Sequence, residues 1–365
     1  MKQYVTSRWM GALAMMAIAA GLPAQKLSIV TVASTVPSNG DVNPYGVAVV
    51  PASMGNLVKG HILVSNFNNV SNQQGTGTTI VDIAPNGAVS LFAWINAATL
   101  PGPCPGGVGL TTALAVLRSG WVIVGSLPTS DGTSATAQAG CLLVLNSWGT
   151  VVETIADSLI NGPWDMTALD QGSTADLFVS NVLNGTVAGN GSLVNQGTVV
   201  RIGLSNLAAG MPAIPTLDSI TTIGSGFPER TDPAALVIGP TGLALSANGT
   251  LYVADSLDNR IASIASAVSR PMSAGTGVTV STSPSFNDPL GLAIRPSNGD
   301  ILSVNGNNGL LIETTPGGAQ VGEGLLDSSG MPPGNGALFG LAVAHEGLFY
   351  VDDATNTLNL LTMIP

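Results

Sequence analysis

The chain has 365 residues, 45% of them hydrophobic but only 8% charged and 4% aromatic, with 46 Gly and 23 Pro. That Gly and Pro content is too high for a helical bundle and the apolar content too high for disorder, so the composition points to many short strands joined by turns. Ten Lys and Arg against 21 Asp and Glu give a net charge of −11, which leaves no basic surface to neutralise phosphates and argues against nucleic acid as a partner.

In chain order, Lys2 and Arg8 precede an apolar run from Trp9 to Ala20, broken by Gly21-Leu22-Pro23-Ala24. The run falls short of the roughly 20 residues that span a bilayer, so residues 1–24 read as a secretory signal peptide cleaved after Ala24. Its removal takes away Lys2 and Arg8 and no acid, leaving a more acidic mature chain, 25–365, with no transmembrane segment and a secreted or periplasmic location. In that oxidising setting Cys104 and Cys141 can form a disulfide, two separate buried thiols being the alternative.

The rest of the chain is one pattern written six times. A small residue followed by alternating apolar positions recurs around 46, 113, 165, 242, 291 and 340: Gly46-Val47-Ala48, Ala113-Leu114-Ala115, Asp165-Met166-Thr167, Gly242-Leu243-Ala244, Gly291-Leu292-Ala293 and Gly340-Leu341-Ala342. A second apolar strand follows each copy, among them His61 to Ser65 and Leu251 to Ala254, and a third follows most of them. Asn86-Gly87, Asn248-Gly249 and Asn298-Gly299 supply the positive φ angles that tight hairpins need. Antiparallel repeats of roughly 50 residues are the pattern of propeller blades, each a small twisted sheet that buries its faces only against its neighbours. The expected fold is an all-β, six-bladed β-propeller. Leu27 to Val32, before the first repeat, pairs with Leu358 to Met363 to close the last blade, which removes exposed sheet edges. A seventh blade would require a hidden repeat between Leu204 and Arg230.

The segment from Thr241 to Ser256, with Asn248-Gly249-Thr250-Leu251-Tyr252-Val253-Ala254-Asp255, and then Asn259-Arg260-Ile261, resembles an NHL repeat and the matching blade of the SMP-30/gluconolactonase-like propellers. Weaker versions at Gly46, Gly291 and Gly340 extend the resemblance over nearly the whole mature chain. It implies the propeller fold. In lactonase-type members it also implies a divalent cation, Ca²⁺ or another, held by carboxylate and Asn oxygens at the channel mouth. Asp255 matches the Asp of that pattern, Thr241 stands where the pattern has Asn, and Asn43-Pro44-Tyr45 stands where a Glu is expected.

Asp165 replaces the small residue of the other copies and so places a carboxylate at the channel, as a cation ligand, a general base or a bond acceptor for neighbouring amides. Asp165 and Asp255 are the candidate catalytic and metal residues; Tyr45, Trp164 and Thr241 are candidates for ligand binding. Asp255 also reads as a turn cap accepting from the Leu257 and Asp258 amides. The second-strand ends Asn66, Ser126, Asn181, Asp255, Asn305 and Asp352 form a polar ring read as solvated turns, and Phe67 and Trp148 read as exposed aromatics. The leading functional expectation is a secreted module that binds an extracellular protein, carbohydrate or other small ligand through the insertions at 67–78, 128–139 and 182–197. The alternative is a cation-dependent hydrolase, lactonase-like, or a lyase at the channel mouth.

Overall fold

The computed structural model describes residues 28–208 and 214–362; residues 1–24, expected from the sequence to be a signal peptide, lie outside them. Six antiparallel sheets are arranged as blades of a propeller. The innermost strands are Val42–Val49, Leu110–Val116, Pro163–Asp170, Pro240–Leu245, Pro289–Ile294 and Leu338–Ala344. Each pairs antiparallel with a second strand, as Leu243 does with Val253 and Leu292 with Ser303. The second strands are buried nearly throughout because both faces lie between neighbouring blades, which explains their unbroken apolar runs.

Ser28–Ser34 pairs with Thr357–Thr362 and supplies the outer strand of the sixth blade, with Ile29 opposite Leu361. The two ends of the chain thus close the ring, as the sequence predicts. The disulfide Cys104–Cys141 ties the crossover loop between the first two blades to the third strand of the second, over a sequence separation of 37.

The stretch with no repeat signature is not a seventh blade. It forms a 17-residue outer strand, Thr216–Asp232, on the third blade. Its last residues leave the blade and fold into a short hairpin in which Arg230–Asp232 pairs with Leu236–Ile238. That hairpin lies across the face of the propeller on which the inner strands begin, here the upper face.

Candidate functional site

The site begins at the six anchor positions, small in every blade but the third. A Cβ on Gly242 would lie 2.0 Å from Leu290 O and 2.7 Å from Leu292 N, and one on Gly291 would lie 2.1 Å from Phe339 O. Inner strands of adjacent blades therefore meet backbone to backbone, and only a residue without a side chain fits. Between the third and fourth blades the gap is bridged instead. Asp165 reaches across it, and the Leu243 N–H donates to its Oδ2 at 2.8 Å. The neighbouring hydroxyls stitch the same junctions: Ser180 Oγ donates to Thr241 O at 2.8 Å and Ser65 Oγ to Thr111 O at 2.8 Å.

Directly above the anchors lies a layer of large side chains. Tyr45 stacks between Phe67, with centroids 4.5 Å apart, and Phe339, at 4.0 Å. Trp164, from the third blade, comes within 6.4 Å of Phe339, from the sixth. Blades three and six stand opposite each other in a ring of six, so rings that touch across this distance fill the channel axis. Leu236, Val237 and Ile238 of the hairpin pack onto this layer together with Leu127, Ala137 and Leu183 from the surrounding insertions. Gln74 Nε2 donates to Ala234 O at 2.9 Å, and Thr129 Oγ1 to Gln74 O at 2.6 Å. The insertions expected to form a binding surface therefore pack on one another as a roof, because their apolar residues have the aromatic layer to cover. Tyr45 and Trp164, candidates for ligand binding, come together in this layer, but at 2% and 3% exposure they are filled contacts within it. Phe67 is buried with them, not exposed, since its ring completes the Tyr45 stack.

Below the layer the channel is open. A cavity of about 460 Å³ is lined by inner-strand residues of all six blades, including Leu114, Met166, Leu243, Leu292 and Leu341. The five alanines that follow the anchors two residues on, with Thr167 in the sixth place, keep it wide. Among the described residues, Asp165 is the only ionisable side chain in its wall. Burial raises the Asp165 carboxyl to about 7, with the Leu243 and Met166 amides opposing part of that shift. Chemically, the site is a channel walled by aliphatic side chains and by the polar backbone of the inner strands, with one carboxyl at its end that gains or loses its proton near neutrality. It can hold an apolar body and accept from, or pair with, one donor group.

The other predicted residues lie elsewhere. Thr241 is buried between blades, its Oγ1 2.6 Å from Ser256 Oγ and donating to Pro289 O at 3.1 Å. Asp255 does not cap its turn: Arg260 Nη2 and Nε hold its Oδ2 at 2.7 and 2.8 Å. Burial nevertheless leaves this carboxyl raised to about 6. The polar ring at the second-strand ends is buried rather than solvated. Its members bond across blades and loops: Asn66 Nδ2 donates to Thr35 O at 3.0 Å and Asn305 Nδ2 to Ser285 O at 2.7 Å. Asp165 and Asp255 are not brought together, and among the described residues no three His, Cys, Asp or Glu side chains converge as a metal site. The donor set that a channel-mouth cation would require is not assembled from these residues. Sequence reasoning also missed a smaller cavity of about 220 Å³ on the upper face, where Arg230 and Asp232 of the hairpin meet Asn259, Asp288 and Asn335. No repeat signature marks the hairpin that builds it.

No protein-family profile matches the chain, and no curated protein matches it. Solved structures do. A gluconolactonase from Xanthomonas campestris is similar at 12% identity over 93% of this chain and 90% of that one, with a TM-score of 0.56. Regucalcin, a calcium-binding protein from Agrobacterium tumefaciens, is similar at 13% identity over 91% and 95%, with a TM-score of 0.52. A catalytically inactive virginiamycin B lyase from Staphylococcus aureus with quinupristin is similar at 13% identity over 93% and 99%, with a TM-score of 0.51. At these identities the likeness is one of fold. No helix among the described residues is long and apolar enough to cross a membrane.

Proposed function

We propose that the protein is an exported binding propeller that takes a small, largely apolar molecule into its central channel through the lower face. The observation that carries this reading is the aliphatic cavity of about 460 Å³ that ends at Asp165 beneath the aromatic layer. Ligand pockets are concavities of about 300–1,000 Å³ with a few placed polar groups, and this one matches in size and in its single placed carboxyl. The upper mouth is filled by side chains, so the ligand enters where the inner strands end.

Displacement of a fluorescent apolar probe by short-chain alcohols tests the reading. Ala293→Trp, in the channel wall, should weaken binding by about tenfold or more by filling the space. A wild-type protein that binds no alcohol, or a variant that binds as well as wild type, would overturn it. The fold likeness to a gluconolactonase and a lyase supports a hydrolase or lyase as the second reading. Arg260 on Asp255 and the isolation of Asp165 argue against its cation-dependent form. Export rests on the basic and apolar N-terminus, and the mature protein should begin at Gln25.

A further inference from the structure

We propose that the channel selects cationic amphiphiles: amines whose ammonium group pairs with Asp165 and whose apolar tail lies along the aliphatic wall toward the lower face. The inference rests on the channel-binding reading and adds the chemical class of the ligand.

Three observations lead to it. First, Asp165 has no protein counter-ion among the described residues. No Lys, Arg or His among them lines the cavity, and Oδ2 is held by one backbone amide. At the comparable buried carboxyl of the next blade, Asp255, an arginine supplies the charge. A carboxylate in a low-dielectric wall is costly until a cation reaches it, so the position is set to favour a positively charged head over a neutral or negative one. Second, apart from Asp165, Thr112 and Thr167 the side chains lining the channel are apolar, set between stretches of inner-strand backbone. The inner strands run about three to five residues beyond the anchors, on the order of 10–15 Å at strand rise, which gives room for a tail. Third, the chain carries 21 acidic against ten basic residues, so its field draws cations toward the surface and repels anions.

The head-group series n-octylamine, n-octanol and octanoate, titrated calorimetrically into the full chain, separates head from tail. The amine should bind about tenfold or more tighter than the alcohol, the size expected of a hydrogen bond to a charged group, and octanoate should bind weakest. Asp165→Asn keeps an oxygen to accept from the Leu243 amide and removes the charge. It should lose the preference for the amine over the alcohol. An alcohol that binds wild type as tightly as the amine, or octanoate that binds more tightly, would overturn the selectivity and leave the channel reading standing. Failure of all three to bind would overturn both. Because the series is read on the wild-type protein, the result does not depend on the variant folding.

Discussion

Replacing Glu229 with Gln should raise the melting temperature at neutral pH and weaken its dependence on pH. Glu229, in the strand Thr216–Asp232, is at 0% exposure, with only the Asn184 backbone amide to offset the cost of burying its carboxylate. Burial raises its pKa from 4.5 to about 8. The folded protein therefore holds this proton at pH values where the unfolded chain has released it. Stability from this group is full below pH 4.5, falls as pH rises toward 8, and levels off above that, where both states are ionised. Over the interval from 4.5 to 7, at about 1.36 kcal/mol per pH unit, the loss amounts to about 3 kcal/mol. Gln has no proton to hold and should recover that amount at pH 7 and little at pH 5. For 365 residues at about 2.1 cal/mol/K each, the gain corresponds to roughly 4 °C in melting temperature at pH 7. Thermal unfolding followed by circular dichroism from pH 5 to 8 measures it. Superimposable curves of melting temperature against pH for the two proteins would refute the reasoning.

Arg260→Ala strands the buried Asp255 carboxylate and should lower stability by about 3–5 kcal/mol at pH 7.5 in urea titrations. The deficit should narrow at pH 5, below the raised pKa of about 6, because the orphaned acid then takes up a proton. Gly291→Ala forces a Cβ to 2.1 Å from Phe339 O and should destabilise by about 1–3 kcal/mol or more. Gly172→Ala, at φ +89° with nothing within 4 Å, should lose only about 1 kcal/mol; equal melting temperatures for the two variants would contradict the account of inter-blade contact. Cys104→Ser with Cys141→Ser opens a loop of 37 residues and should lower stability by about 2–4 kcal/mol, read in the same urea titrations.

The architecture was legible because its demands repeat. Crowded inner strands require small anchors, so Gly46, Gly242, Gly291 and Gly340 announce the blades, and Leu358 leaves an outer strand missing that the N-terminal strand supplies. The exception at Asp165 was legible for the same reason, as a break in a regular series. The roof was not. The hairpin at Arg230–Ile238 shares its apolar cluster with residues from several different blades, and contacts of that kind leave no period in the sequence. The same blindness explains the polar ring and Phe67. An Asn or Asp after a strand reads as a solvated turn unless the next blade is known to cover it, and Asn66 and Asp255 are covered. A partner such as Arg260 for Asp255 was only five residues away, but its burial came from packing that the local sequence does not encode.

Crystals soaked with a bromoalkyl alcohol give the most direct test of a channel closed above and open below, because anomalous scattering locates the bromine. The account predicts a bromine peak inside the channel between Asp165 and Ile294. A peak on the upper face among Arg230, Asp288 and Asn335, or no bound molecule, would contradict it.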